Sequence, residues 1–367
     1  MRILMIIDGL PGGGAEKTVL TLSRGLVEMG HQVSLFSLRK VCDYTIPEGI
    51  DYQVVRDTCR SPWRKLTELH RRARLLDNAI VEAQQQHGDF DIVFSHLHKT
   101  DRIVAHLRAI DADKIWHCIH GMFSFAYLRH RGALSRWFKQ LKIRRVYENR
   151  QVVAVSHAVY DDLVSNLGIH LRKHAVIHNP FDIDIIQALA QEPCDIQDQD
   201  YLIHVGRYHE HKRHDRLLRA FAKSGIDARL VMMGNGSDKQ LSSLKKLAGE
   251  LNITDKVMFS PFVPNPYPRI KHARMLVLSS DSEGFGNVLV EALICHTPVV
   301  STRCPGGPAE ILTGPLARGL SGMSDDELAD TMADIWHNPP EIDDSTISAY
   351  GIKAICQQYL SLAGVKQ

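Results

Sequence analysis

The sequence predicts two doubly wound α/β domains, each a parallel sheet covered by helices, and three observations carry that prediction. Short apolar runs alternate with stretches of helical periodicity. The alternation occurs twice. A polar stretch, "AQEPCDIQDQD" (190–200), separates the two series. Fully apolar strands separated by helices belong to parallel sheets buried on both faces. A chain of 367 residues is long enough for two such domains, each with its own core.

The first series opens on "RILMII" (2–7), followed by a helix over 16–29 with Val19, Leu20, Leu22, Leu26 and Met29 near helical spacing. Gly30 stops it, and "HQVSLFSL" (31–38), "DIVFSH" (91–96), "KIWHCIH" (114–120) and "QVVAVS" (151–156) continue the strand series. The second series runs "YLIHVG" (201–206), "ARLVMMG" (228–234), "KVMFS" (256–260), "RMLVLSS" (274–280) and "TPVVST" (297–302), with helices over 214–224, 237–251 and 287–295. A last helix is expected over 347–365, after the Pro339–Pro340 break, packing back on the first domain. The expected layout is a first domain over 1–183, a linker over 184–200, a second domain over 201–345 and a C-terminal helix within 346–367.

Charged residues make up 23% of the chain and the net charge is +2, which gives no bulk electrostatic case for nucleic acid. The seven cysteines are scattered, with no CxxC, which argues against a disulfide framework or a zinc site and fits a reducing compartment. The apolar start is too short for a signal peptide and no run approaches a membrane span. The expectation is a cytoplasmic protein.

"DGLPGGGAEKT" (8–18) imitates two phosphate-binding loops and matches neither. In a P-loop the lysine directly follows the last glycine, whereas Ala15 and Glu16 intervene before Lys17–Thr18 here. A dinucleotide fingerprint needs a third glycine after Gly12-x-Gly14 and an acidic residue after the second strand, where this chain has Arg39–Lys40. What survives is a glycine turn whose backbone N–H groups open a helix and suit an anion. A tight turn with no ligand is the alternative.

The second half is more specific. In "HVGRYHEHKRH" (204–214), Arg207 and Lys212 follow a strand and offer two cations to a pyrophosphate. His209, His211 and His214 are interleaved with cations that would repel a metal, so solvated surface is the plainer reading of them. In "DSEGFGNVLVEAL" (281–293), Glu283 sits on a loop and Glu291 about one turn into a helix starting near Asn287. Two carboxylates so placed suit one extended polyhydroxylated ligand, and the N–H groups of 285–287 suit a phosphate or sugar oxygen. Alone, Glu291 reads equally well as a surface helix residue.

Together, "GGGAE" (12–16), "VVAVSHAV" (152–159), "VIHNPFD" (176–182), "HVGRYHEHK" (204–212), "LVMMGNG" (230–236), "SEGFGNVLVEAL" (282–293) and "CPGGPAEIL" (304–312) resemble the retaining family 4 glycosyltransferases of the GT-B fold. The resemblance implies two Rossmann-like domains facing each other across a cleft, with a nucleotide-sugar donor on the second and the acceptor on the first. It implies that Arg207 and Lys212 grip the donor diphosphate, Glu291 the ribose hydroxyls and Glu283 the transferred sugar. Phe285, Gly286 and Asn287 would contact that sugar or its phosphate. Gly234, Gly236, Phe262 and Val263 would border the nucleobase, Gly13 and Gly14 would lie opposite, at the diphosphate and acceptor side, and His120 would stand near the sugar. No metal or other cofactor is implied, because fixed cations serve the leaving group.

Ala273–Arg274 stands where relatives commonly carry Ala–Asp, which puts base contacts in doubt more than reaction type. "CPGGPAEIL" is similar to a variant found among bacterial surface-polysaccharide transferases, which implies lipopolysaccharide, capsule or related assembly, with a UDP-linked donor. Residues 129–150 hold eight Arg and Lys beside one acidic residue, interleaved with Trp137, Phe138, Leu141, Ile143 and Val146. A basic amphipathic helix there would rest on an anionic membrane surface and serve a lipid-linked acceptor; a core-facing helix with a solvated basic face is the alternative. A nucleotide-sugar 2-epimerase and a non-catalytic nucleotide-sugar-binding subunit are the competing functions.

Overall fold

Seven parallel strands form the first sheet and six the second. The computed structural model describes residues 1–60, 64–129, 131–197 and 199–364, and the chain divides into two compact units, Met1–Pro180 with Ile352–Gln367, and Phe181–Gly351. The first sheet comprises β1 (Arg2–Ile7), β2 (Gln32–Ser37), β3 (Ile50–Val54), β4 (Ile92–His96), β5 (Ile115–Ile119), β6 (Gln151–Ala154) and β7 (Lys173–Val176), in the order β3-β2-β1-β4-β5-β6-β7. The second comprises β8 (Tyr201–Val205), β9 (Arg229–Met233), β10 (Val257–Ser260), β11 (Met275–Leu278), β12 (Val299–Thr302) and β13 (Leu320–Ser321), in the order β10-β9-β8-β11-β12-β13.

The helices around the first sheet are α1 (Gly14–Glu28), α2 (Arg64–His87), α3 (His98–Val104), α4 (Ala133–Tyr147) and α5 (His157–Asp161). The second unit carries α6 (Ile183–Leu189), α7 (His214–Lys223), α8 (Asp238–Glu250), α9 (Tyr267–Lys271), α10 (Asn287–Ile294), α11 (Pro308–Ile311), α12 (Asp325–His337) and α13 (Asp344–Ser348). The last helix, α14 (Ile352–Ser361), belongs to the first unit.

Alternation along β1 shows why its whole run is apolar. Ile3, Met5 and Ile7 enter one core with Val19, Leu22 and Leu26 of α1, while Leu4 and Ile6 enter another with Leu76 and Ile80 of α2. Ile355, Cys356 and Tyr359 of α14 complete the first of these cores. A Cβ on Gly25 would lie 2.5 Å from Ile352 Cγ1, so glycine is what lets α1 and α14 cross so closely. In the second unit Leu202, Leu230, Met232, Met275, Val277 and Val300 pack with Leu217 and Phe221 of α7 and Met332 of α12.

Four expectations need correction. The edge strands β3 and β7, with mixed or exposed burial, and the short β13 are absent from the predicted series, because an edge strand lacks a fully apolar run. The stretch expected as a linker contains α6, capped by the Asp182 side chain accepting from Ile185 N–H and anchored by buried Ile186. The single helix expected over 347–365 is two, α13 and α14. The Tyr350 carbonyl accepts from Phe181 N–H at 2.9 Å instead of serving a continuing helix. The basic helix expected over 129–150 is α4 alone, preceded by a π-helical turn at Ser124–Leu128. Of these predicted segments, His130, Asp198 and residues 365–367 lie outside the described residues.

Candidate active site

In an open parallel sheet, ligands bind beyond the carboxyl ends of the strands where the strand order reverses. The second sheet reverses between β8 and β11. The loops leaving those strands carry the stretches singled out in the sequence, and the fold brings them together. Lys212 Nζ donates to Glu283 Oε1 at 2.6 Å, and Ser280 Oγ donates to the same oxygen. Burial alone would push the Glu283 carboxyl up. The Lys212 ammonium and the hydrogen bonds from Lys212 and Ser280 outweigh it, and hold the carboxyl below its usual value.

This pair rests on a braced loop. Arg213 has left-handed backbone (φ +49°), a conformation that costs a non-glycine residue about 1 kcal/mol. Its guanidinium grips both Asp215 oxygens at 2.9 Å and reaches Asp281 Oδ1 at 3.2 Å. Buried Arg216 donates to the same Asp281 oxygen and to the Ser279 carbonyl, both at 2.8 Å. Ser279 Oγ donates to the Lys212 carbonyl at 2.9 Å, and Asp281 N–H to the His211 carbonyl at 2.7 Å. The loops after β8 and β11 are thus laced on both sides of the Lys212–Glu283 pair.

Behind Glu283 the backbone is cradled by glycines. A Cβ on Gly306 would meet the Glu283 carbonyl oxygen at 2.1 Å, and one on Gly307 the Phe285 carbonyl oxygen at 2.2 Å. Gly306 also has φ +134°. Gly286 (φ +99°) turns the chain into α10, whose first residue is Asn287. Phe285 is buried, edge-on to Tyr350 with centroids 5.7 Å apart. Glu291, within α10, accepts from Tyr267 Oη at 3.2 Å.

Arg207 is exposed, and its guanidinium makes no hydrogen bond or ion pair among the described residues. Arg207, His209, Lys212 and Glu283 all lie near enough to influence the His211 ring, which burial above all pulls below its usual pKa. Gly234 and Gly236 meet the same loop from β9: their Cβ atoms would lie 1.9 Å from the Gly206 carbonyl oxygen and 2.5 Å from Tyr208 Cβ. Asn235 ties three strand ends, its carbonyl accepting from Tyr208 N–H at 2.8 Å and its Oδ1 from Phe262 N–H at 3.3 Å. Phe262 is half exposed and Val263 partly so. The His209 and His211 rings lie tilted to each other with centroids 4.3 Å apart, whereas His214 turns inward against His204 at 4.6 Å, so the three imidazoles do not converge.

The first sheet reverses between β1 and β4. The glycine loop leaves β1 there, with Gly12 at φ +70° and the Gly13 carbonyl accepting from Tyr44 Oη at 2.9 Å. Gly14 is the first residue of α1, and Lys17 and Thr18 are helical residues within it. His120 stands two positions beyond the β5 pairing partner of His96, the last residue of β4; His120 Nε2 and His96 Nδ1 are 3.0 Å apart. Burial pulls the His120 pKa down to about 4. Sequence reasoning missed Ser280, Asp281, Arg216, Gly306, Gly307 and His96. "CPGGP" was the available signal for the glycine cradle, and a second strand-end histidine the signal for His96.

Two family models match the chain: Glycosyltransferase Family 4 over residues 12–185 and Glycosyl transferases group 1 over residues 189–353. Among relatives, the N-acetylgalactosamine-N,N'-diacetylbacillosaminyl-diphospho-undecaprenol 4-alpha-N-acetylgalactosaminyltransferase of Campylobacter jejuni is 27% identical, over 84% of this chain and 83% of that protein. The D-inositol 3-phosphate glycosyltransferase of Mycobacterium avium is also 27% identical, over 89% and 81%. Among solved structures, Anabaena Alr3699/HepE in complex with UDP and glucose superimposes with a TM-score of 0.73 at 18% identity, each chain covered completely. With both units matched in this order, the chain belongs to the glycosyltransferases of the GT-B fold.

Proposed function

We propose that the chain is a retaining glycosyltransferase that moves a sugar from a UDP-linked donor to a lipid-linked or glycan acceptor in bacterial lipopolysaccharide, capsule or related surface-polysaccharide assembly. The observation that carries this reading is the Lys212–Glu283 pair at the reversal point of the second sheet, beside the N-terminus of α10. The transition state for sugar transfer builds negative charge on the leaving diphosphate, and preorganised cations and helix N–H groups stabilise it there. Lys212 and Arg207 fill that role. Glu283 takes hydroxyls of the transferred sugar, and Glu291 those of the ribose. Phe285, Gly286 and Asn287 line the sugar and its phosphate, and Gly234, Gly236, Phe262 and Val263 the base. Gly13 and Gly14 serve the donor diphosphate and the acceptor, and His120 stands near the sugar. No metal is required, because the cations are supplied by the chain.

The acceptor class draws support from the C. jejuni relative, whose name includes a diphospho-undecaprenol, and the donor from the UDP complex of the Anabaena protein. No helix among the described residues is long and apolar enough to cross a membrane. On α4, Leu134, Trp137 and Phe138 are 70%, 53% and 51% exposed, beside the exposed cations Arg136, Lys142 and Arg145. Such a face suits peripheral contact with the anionic cytoplasmic leaflet.

The test is a panel of nucleotide sugars incubated with a polyprenyl-diphosphate sugar acceptor, with and without a chelator. Transfer or slow donor hydrolysis from a UDP sugar, with retained anomeric configuration and no loss on chelation, is expected. C2 epimerisation, binding without turnover, or an inverted product would overturn the reading.

A further inference from the structure

His96 has no place in the mechanism above, yet it holds one nitrogen of His120. It ends β4 at the reversal point of the first sheet, is fully buried, and pairs in register with Cys118 of β5. The two rings lie with centroids 5.3 Å apart, tilted by 35°, and join through His96 Nδ1 and His120 Nε2 at 3.0 Å. Their outer nitrogens, His96 Nε2 and His120 Nδ1, are buried and have no hydrogen-bond partner among the described residues. A buried polar atom in that state signals a ligand or water that supplies the partner.

Burial keeps both imidazoles neutral near pH 7. A neutral imidazole carries one proton, so the pair carries two, and the bond between the rings uses one of them. One outer nitrogen therefore bears a proton and the other is bare. The choice between His96 Nδ1 as acceptor and as donor decides which. His96 is fully buried and His120 only partly, so His120 is the one of the two that an incoming group can meet. A sugar hydroxyl presented as a donor requires a bare nitrogen there.

We propose that His96 is a positioning residue that accepts from His120 Nε2–H and thereby fixes the His120 tautomer, leaving Nδ1 as the acceptor for a sugar hydroxyl. This rests on the sugar-transfer reading of His120. The hydroxyl comes either from the acceptor or from the transferred sugar.

The experiment is imidazole 15N NMR of the full chain, with His120 assigned from the signals lost in His120→Gln. Expected in the wild type are a protonated Nε2 and a bare Nδ1 on His120. His96→Leu is expected to mix or invert that tautomer and raise one sugar KM about tenfold with a smaller change in kcat. A rise confined to the acceptor assigns the hydroxyl to it, and one confined to the donor assigns it to the transferred sugar. His96→Asn, whose amide oxygen can replace Nδ1, is expected to restore both signature and KM, and serves if the leucine variant does not fold. A wild-type His120 protonated on Nδ1, or a folded His96→Leu protein with unchanged signature and both KM values unchanged, overturns the proposal. The NMR result needs no turnover, so failure of the transfer reading appears separately, as absence of product from every donor.

Discussion

Lys212 and Glu283, 71 positions apart in the chain, meet at 2.6 Å with side chains only 21% and 10% exposed. Each is the other's principal compensation for leaving water, so the two are predicted to be energetically coupled. Lys212→Met leaves a buried carboxylate without its cation, an arrangement that costs about 3 kcal/mol. Glu283→Gln keeps an acceptor for Ser280 and costs less. Each change is expected to lower kcat/KM at least tenfold, about 1.4 kcal/mol. A double-mutant cycle by denaturant unfolding checks the coupling, and strict additivity would contradict it.

Gly306→Ala is expected to damage the site from behind. Its Cβ would collide with the Glu283 carbonyl oxygen, and its φ of +134° is strained for any side chain. A loss of about 3 kcal/mol is expected from the two effects together. Gly314→Ala is the control, since Gly314 has φ +55° but nothing within 4 Å of an added Cβ, and should cost about 1 kcal/mol. Melting temperature and kcat of the two variants separate the outcomes; equal behaviour would dismiss the cradle.

How much of this was legible beforehand follows from where the information lies. The central strands and their order-reversing loops could be read because β1, β4 and β8 are buried on both faces and therefore apolar throughout. β3 escaped because an edge strand leaves every second residue in water. Arg207, Lys212, Glu283 and Glu291 were visible as residues with a suitable chemistry. The direct bond between Lys212 and Glu283 was not visible, since no local pattern encodes a contact made by two strand ends in the folded sheet. The same holds for His96, which looked like the tail of an apolar run.

Acid is expected to destabilise the fold before its carboxylates are neutralised. Burial pulls the pKa of His98 and His204 to about 4, and of His214 lower still, from a usual 6.5. Between pH 6.5 and 4 the unfolded chain binds protons that the folded chain refuses, so stability falls as pH falls. The slope is about 1.4 kcal/mol per pH unit for each such histidine. Glu283, whose carboxyl is depressed, adds stability above its unfolded pKa that is lost only as pH drops through its lower folded value. Urea unfolding at pH 7 and pH 5 measures the slope, and His204→Asn should flatten it. Equal stability at the two pH values would refute the account.

Trp137→Ser with Phe138→Ser is expected to reduce sedimentation with anionic vesicles severalfold while leaving the melting temperature nearly unchanged, because both rings are half exposed. Raised salt should weaken the wild-type interaction. If anionic vesicles capture no more wild-type protein than neutral ones, α4 has no such role.

The close crossing of α1 and α14 bears on biosynthesis. Ribosomes deliver the first unit's sheet early, yet Ile355, Cys356 and Tyr359, which finish its core, are translated only after the whole of the second unit. Phe181–Gly351 is continuous and can fold on emergence, whereas its predecessor must wait with an apolar groove beside Gly25. A premature stop near residue 351 would therefore spare the later unit and strand the earlier one as a chaperone client.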